Sequence, residues 1–87
     1  MKEHVHHDLK LNTIFWEPKT DGRKPWELRS TWDRTFREGD TVTFHEVADE
    51  ACVPTGRTYG PATITYVLNE SPLMDDPDRC IFTHTQV

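Results

Sequence analysis

The sequence predicts a small, mainly β domain of five to six strands with one or two short helices, and three observations support this fold class. Short runs of alternating apolar and polar residues recur along the 87 residues and are broken by Gly, Pro, Asn and Asp, as is typical of strands joined by turns. No long helical segment alternates with the strands, which excludes a doubly wound α/β sheet. A curled, mostly antiparallel sheet or a small barrel is expected, because closure hides edge strands that so short a chain could not otherwise protect.

Five segments carry strand patterns, and they are residues 6–11, 26–30, 41–47, 62–68 and 80–86. The fourth, ATITYVL, is the strongest because it is rich in β-branched residues. In the first, Leu9 and Leu11 share one face, and in the third, Val42 and Phe44 are expected to point inward. In the second, alternation places Trp26 and Leu28 on one face, and Trp26 is expected to lie in the core. Glu27 and Arg29 then project together from the opposite face, roughly 7 Å apart.

The connections between these strands contain one helical segment and several turn signals. Asn12 or Thr13 can cap a short helix that starts before Pro18. Because Pro18 lacks a donor and clashes with the preceding turn, that helix must be short or begin again at Pro18. Turns are expected at 39–40, 54–56 and 60–61, and an exposed loop at 69–79.

Length and composition limit what the chain can be. Residues 1–87 are expected to form a single domain, since domains usually contain roughly 100 to 200 residues. Only 34% of the residues are apolar, so the core must be thin and any site should be a shallow groove. The sequence contains neither a run of about 18 apolar residues nor an apolar leader segment, and a soluble, cytoplasmic protein without a membrane partner is therefore expected.

The cysteines and histidines do not predict a metal site. Cys52 and Cys80 are too far apart in sequence for a CxxC pair, and both are interpreted as small buried hydrophobic residues. The histidines near the N-terminus are interpreted as incidental, because metal binding needs further ligands in a fixed geometry. No metal and no other cofactor is expected.

The charge is unevenly distributed along the chain. The formal net charge is -5, yet the segment 19–37 holds six basic residues against three acidic ones. A positive patch on an acidic protein is a first indication of function, although a solvated surface strip would explain the same pattern equally well.

The most informative stretch is GRKPWELR, residues 22–29. Gly22 permits a tight turn, and Lys24, Glu27 and Arg29 bring ionisable groups of both signs close together. A carboxylate between two cations can accept from a base amine while the cations hold phosphate or carbonyl oxygens. The same residues would also form an ordinary ion-pair strip on an edge strand.

This stretch, written as GxKxxExR, resembles the motif of the ASCH domain family of the PUA-like superfamily, and further elements follow in the family's order. The resemblance is to a small, poorly characterised branch from bacteria and phages. It rests on the segments HDLK (7–10), GRKPWELR (22–29), DRTF (33–36), GD (39–40), TGR (55–57) and YVL (66–68).

The resemblance implies a PUA-like β-barrel with a cleft beside the Gly-x-Lys turn, where RNA or a modified base binds. In this cleft Lys24 and Arg29 would bind phosphate or base oxygens. Glu27 would accept from a base amine and orient Lys24. The expected function is therefore an RNA- or nucleotide-binding module with a shallow cationic cleft.

Three further residues are expected to border this groove. Trp32 lies in a polar segment and is the candidate for stacking on a base, although it would serve equally well to close one end of a barrel. Arg34 and Arg57 are candidates for phosphate contacts, and the alternative for Arg57 is an ion pair with an acidic residue.

Two alternative functions belong to other classes. A bacterial branch similar to the ASCH family hydrolyses cytidines acylated on the exocyclic amine, with a lysine that matches Lys24 and a threonine where Glu27 stands here. It also uses a downstream glutamate. The candidate for this glutamate here is Glu70, a loop carboxylate that no motif supports. An amidohydrolase with Lys24 and Glu27 as catalytic residues is thus the first alternative. The second is a phage or bacterial interaction protein whose acidic surface, including 75–78, binds a host protein.

Overall fold

The computed structural model describes residues 3–32, 34–68 and 78–87. The strands are β1 (His6–Asn12), β2 (Trp26–Ser30), β3 (Thr41–Ala48), β4 (Val53–Leu68) and β5 (Arg79–His84). Between β1 and β2 the chain makes a 3-10 turn at Thr13–Phe15 and a short helix, α1 (Trp16–Thr20). The predicted mainly β fold with five strands is confirmed. The loop expected at 69–79 lies mostly outside the described residues.

The five strands form one open, mixed sheet in the order β1-β3-β4-β5-β2. β1 runs parallel to β3, whereas the other neighbouring strands are antiparallel. The long strand β4 pairs with β3 through its first part and with β5 through its last part, so it connects the two halves of the sheet. The strands β1 and β2 are the two edges, and their contact positions the site described below.

The edge strands approach each other across a gap. The Arg29 side chain on β2 spans this gap, and its Nη2 donates a hydrogen bond to the carbonyl oxygen of Lys10 on β1 at 2.6 Å. In the strand pairing of the described residues, β1 and β2 are not neighbours, so the sheet stays open here. Among the described strands, three of the four pairs are antiparallel, which confirms the mostly antiparallel sheet that the sequence predicts, and β1 with β3 is the parallel pair.

The core lies on one face of this sheet and follows the alternation of the strands. Leu9 and Leu11 on β1 are buried, as are Val42 and Phe44 on β3, which confirms the inward faces predicted for these two strands. The cluster is completed by Phe36, Ala62, Ile64, Cys80 and Phe82. A core of this size is thin, as the composition predicts.

The turns predicted at 54–56 and 60–61 are instead part of β4, which begins at Val53 rather than at residue 62. The pairing of β3 with β4 contains two register shifts, and irregular strands of this kind use glycine where neighbouring strands come close. Gly60 has a φ of 146°, and a Cβ atom there would lie 2.7 Å from the Cα of Thr43. Gly60 therefore marks a place where two strands come close together, and not a turn that reverses the chain.

The cap at Asn12 and the position of Pro18 agree with the short helical segment that the sequence predicts. The Asn12 side chain accepts a hydrogen bond from the Ile14 N–H at 3.0 Å and caps the 3-10 turn. Pro18 lies within the first turn of α1, where a backbone donor has no partner in the helix. No helix among the described residues has the length and apolar character needed to cross a membrane.

The two cysteines are free and lie in different environments. Cys80 on β5 is buried in the core, as predicted. Cys52 is exposed, which contradicts the prediction that both are buried. It ends a tight turn in which its N–H donates to the carbonyl oxygen of Asp49, and a turn residue between two strands has no core to contact.

Candidate functional site

The charged face of β2 points into the protein, which reverses the prediction for this strand. Glu27 is only 3% exposed, whereas Trp26 and Leu28 are 42% and 47% exposed. A carboxylate can be buried only if cations and hydrogen-bond donors compensate it. The neighbours of Glu27 provide this compensation, and they decide which face of β2 is inside.

Lys19 on α1 is the first of these neighbours. Its side chain is fully buried, and its Nζ lies 2.8 Å from Oε2 of Glu27. Nζ also donates to the carbonyl oxygen of Trp26 at 3.0 Å and contacts Nε2 of His84 at 2.8 Å. His84 Nδ1 lies 2.7 Å from the Thr85 carbonyl oxygen and can donate to it, which leaves Nε2 to accept from Lys19.

Lys24 and Arg29 contact the same carboxylate from the solvent side. Lys24 Nζ donates to Oε2 of Glu27 at 2.7 Å. Arg29 donates from Nε to Oε1 at 3.0 Å, and its Nη2 lies 2.9 Å from the same oxygen. Three cations therefore surround one buried carboxylate, and we call Lys19, Lys24, Glu27 and Arg29 the ion cluster.

The electrostatics of the ion cluster follow from burial and proximity. Burial lowers the pKa of Lys19 to about 8, even though the Glu27 carboxylate acts in the opposite direction. Burial alone would raise the pKa of Glu27, but hydrogen bonds from Lys19 and Lys24 outweigh it and lower that pKa. Burial also lowers the pKa of His84. At neutral pH the ion cluster carries a net positive charge.

Two aromatic rings stand beside the exposed end of the ion cluster. Lys24 Nζ lies 4.6 Å from the ring centroid of Phe15 and 4.9 Å from that of Trp26. Both distances are within the range of cation–π contacts. Phe15 and Trp26 are 40% and 42% exposed, and the Lys24 side chain between them is 15% exposed, so this end of the ion cluster reaches the surface.

A groove runs along the gap between the edge strands and consists of two adjoining pockets. The aromatic pocket has a volume of about 450 Å³ and is lined by Leu11, Phe15, Lys24, Trp26, Glu27 and Leu28, among others. The arginine pocket has a volume of about 290 Å³ and is lined by Asp8, Leu9, Ser30, Arg34 and Phe36. Lys10 and Arg29 line both pockets. These volumes lie near the lower part of the range of small-molecule sites.

The groove is positive although the protein is acidic. Among the described residues that line it, four are cations (Lys10, Lys24, Arg29 and Arg34) and two are carboxylates (Asp8 and Glu27). The whole chain has a net charge of -5. A local positive charge on an acidic protein favours an anionic ligand at this one place.

The structure brings four of the six predicted site residues to this groove, namely Lys24, Glu27, Arg29 and Arg34. Trp32 is 78% exposed and follows β2, but it does not line either pocket. Its N–H donates to Oγ of Ser30 at 3.2 Å, which fixes the chain beside the arginine pocket. Trp32 is thus available to solvent next to the groove.

Arg57 lies elsewhere and forms the ion pair that was its alternative interpretation. Its Nε and Nη2 donate to the two carboxylate oxygens of Glu46 at 2.7 and 2.6 Å, and its guanidinium lies 4.7 Å from the Trp16 ring centroid. This hydrogen bonding lowers the pKa of Glu46 to about 2. Arg57 lines neither pocket, because β3 and β4 place it over the helix side of the sheet.

Sequence reasoning missed Lys19 and His84 as members of the site. Lys19 lies on a helix of five residues, which is too short to show an apolar face in its sequence. The only available signal was a lysine next to a proline within the basic segment, and this does not predict burial. In the described part of the chain, no group of three or more His, Cys, Asp or Glu side chains is placed to hold a metal ion.

Fold and site together define a small β-rich domain with a positively charged groove between its two edge strands. Residues 6–82 match the model of the family described as Domain of unknown function (DUF3850). The chain therefore belongs to the DUF3850 family. No curated protein matches the chain.

Proposed function

We propose that this DUF3850 domain binds RNA or a nucleotide in the groove between β1 and β2. The observation that carries the proposal is the convergence of Lys24 and Arg29 on one buried carboxylate in the groove wall. The resemblance to ASCH domains supports the same function. We further propose that additional contacts between the two edge strands close the sheet into a PUA-like barrel. A cytoplasmic location is also part of this proposal.

The cations are suited to phosphate because their positions are already held. Glu27 contacts both Lys24 and Arg29, so their long side chains lose little further freedom when an anion binds. Arg29 is also held by the Lys10 carbonyl oxygen. A guanidinium and an ammonium in one wall can together neutralise a phosphate group.

The role proposed for Glu27 changes with this geometry. A carboxylate offers about four acceptor positions. Lys19 and Lys24 contact Oε2 of Glu27, and two nitrogens of Arg29 contact Oε1. The acceptor positions are therefore occupied by cations, and Glu27 orients the cations instead of accepting from a base amine.

The aromatic pocket is suited to a base. Phe15 and Trp26 flank Lys24, and Leu28 adds an apolar side chain to the same pocket. Stacking of a base on an aromatic ring contributes about 1 to 3 kcal/mol and is tolerant of sequence. Base stacking beside an ammonium that binds phosphate is the combination that single-stranded nucleic acids require.

Fluorescence anisotropy with a labelled 12-nucleotide oligouridylate tests the proposal. We expect saturable binding by the wild-type protein at about 0.15 M salt, and Lys24→Met should weaken it by about tenfold or more. The slope of log K against log salt should fall by about 0.7 on loss of one phosphate contact. Arg23→Gln is the matched control, since Arg23 pairs with Asp21 on the exposed surface and lines neither pocket. If no RNA binds, or if both variants bind as the wild type does, the proposal is wrong.

The alternative function, an amidohydrolase, needs a lysine that can attack an acyl group, and the contact between Lys24 and Glu27 does not favour this role. This contact is an ammonium hydrogen bond, and a protonated amine has no lone pair with which to attack an acyl group. Lys19, whose pKa is about 8, is fully buried and out of reach of a substrate. Incubation with cytidine acetylated on its exocyclic amine tests this alternative, and turnover no faster than that of Lys24→Met would exclude it.

The third candidate, a surface that binds a host protein, depends on acidic residues of the segment 75–78. Asp75 and Asp76 lie outside the described residues, as does Glu70, which was considered as a downstream catalytic carboxylate.

A further inference from the structure

The groove is longer than one nucleotide requires, and its two pockets meet at a shared cation. Arg29 and Lys10 line both pockets, and the Arg29 guanidinium is held at the junction by the Lys10 carbonyl oxygen and by Glu27. The groove is thus divided into two compartments, and a positive charge stands at the boundary between them.

Each compartment has a group that can stack on a base and a positive charge. The aromatic pocket contains Trp26 with Lys24. The arginine pocket contains Arg34, whereas Phe36, which also lines it, is buried in the core. Because an arginine plane can stack on a base as an aromatic ring does, Arg34 supplies both the stacking group and the charge of the second pocket.

The length of the groove agrees with two successive nucleotides. The lining residues of β1 extend from Asp8 to Asn12, a length of about 13 Å at the usual rise of a strand. Neighbouring phosphates of a stacked strand are about 3.4 Å apart along the helix axis, and roughly twice that when the strand is extended. A single mononucleotide would leave one pocket and one cation without a ligand.

We propose that the groove binds two successive nucleotides of a single RNA strand, with one base in each pocket and the phosphate between them at Arg29. This inference rests on the proposed function and specifies its ligand as an oligonucleotide segment instead of a free nucleotide. It assigns Arg34 to the second nucleotide and Lys24 to the first.

Competition against the labelled 12-mer by uridylates of increasing length tests this inference. The competitors are pU, pUpU, pUpUpU and the hexamer, each with a 5′ phosphate, so that every step adds one base and one phosphate. The step from pU to pUpU should improve competition by about tenfold, as expected for one additional stacked base. Each later step should improve it by less than about threefold.

A pair of variants locates the second position. Arg34→Gln alters the arginine pocket alone and should reduce the gain from the second nucleotide to less than about threefold. Arg23→Gln, which removes the same charge outside the groove, should retain the tenfold gain. The length series itself needs no variant, so a folding defect in Arg34→Gln would not prevent the test.

The outcomes separate this inference from the proposed function. Equal competition by pU and pUpU would overturn the two-nucleotide site while leaving RNA binding intact. A steady gain at every step up to the hexamer would also overturn it, because it indicates more than two positions. Failure of the labelled 12-mer to bind would instead reject the proposed function.

Discussion

Replacement of Lys19 by methionine removes the buried ammonium while keeping an unbranched side chain of similar length. In the wild-type protein this ammonium contacts Glu27, His84 and the carbonyl oxygen of Trp26. Methionine offers none of them a hydrogen bond. Glu27 would remain buried with Lys24 and Arg29 as its only cations in the cluster.

The cost can be worked out from these contacts. Removal of one partner from a buried ion pair destabilises a protein by about 3 to 5 kcal/mol, because the other charge is left uncompensated. Two cations still contact Glu27, so we expect the lower end of this range, about 3 kcal/mol. For a domain of 87 residues this is a large part of a total stability on the order of 5 to 10 kcal/mol.

The same substitution changes the pH dependence of stability. Burial lowers the pKa of Lys19 from 10.5 to about 8, so between these values the unfolded chain binds a proton that the folded protein has released. Folding stability then rises with pH in this window. The Lys19→Met protein lacks this contribution, and its deficit relative to the wild type should grow by about 2 to 3 kcal/mol between pH 7 and pH 10.

Urea unfolding followed by circular dichroism measures both effects. With a slope of about 1 kcal/mol per molar urea for a small domain, the midpoint of Lys19→Met at pH 7 should fall by about 2 to 3 M. Lys10→Met is the control at an exposed position and should change stability by less than about 0.5 kcal/mol. A Lys19→Met midpoint equal to that of this control would refute the reasoning, as would a deficit that shrinks with rising pH.

The remaining predictions concern the two cysteines, an acid-sensitive carboxylate and an exposed tryptophan. Ellman's reagent should label Cys52 rapidly in the folded protein and Cys80 only on unfolding, because Cys52 is exposed and burial raises the pKa of the Cys80 thiol. Rapid labelling of both thiols in the folded protein would contradict this prediction. Burial raises the pKa of Asp40, but hydrogen bonds, including one from His7, outweigh it and lower that pKa below 3.8. The stability that the Asp40 carboxylate contributes is therefore lost as the pH falls below 3.8 and through the lower pKa of the folded protein. In urea titrations, Asp40→Asn should lose less stability than the wild type between pH 6 and pH 3. Trp32→Ala should change the unfolding free energy by less than about 0.5 kcal/mol, since Trp32 is 78% exposed, and a larger loss would show that it packs on the fold.

Much of the local structure could be predicted from the sequence because it depends on neighbours along the chain. The alternation in β1 and β3 identified the buried Leu9, Leu11, Val42 and Phe44. Asn12 caps the 3-10 turn through its own side chain and the Ile14 N–H, two residues away. These features can be predicted from the alternation of residues along a strand or from the geometry of a single turn.

The faces of β2 could not be predicted, because alternation separates two faces without saying which one is buried. Trp26 and Leu28 made the apolar face appear to be the inner one. The Lys19 ammonium from α1 and His84 from β5 create a polar environment on the other side, and Glu27 is buried there instead. Contacts with other elements, α1 and β5, therefore outweighed the local hydrophobic pattern.

The sequence by itself determined a small β-rich domain and placed Lys24, Glu27 and Arg29 within one short motif, since residues two or three positions apart remain close in any fold. Only the tertiary structure decided that the edges β1 and β2 face each other across a groove, that Lys19 is buried beneath it and that Arg57 pairs with Glu46. The physical reason is that strand order and the burial of charge depend on contacts between residues far apart in the chain, which local pattern does not encode.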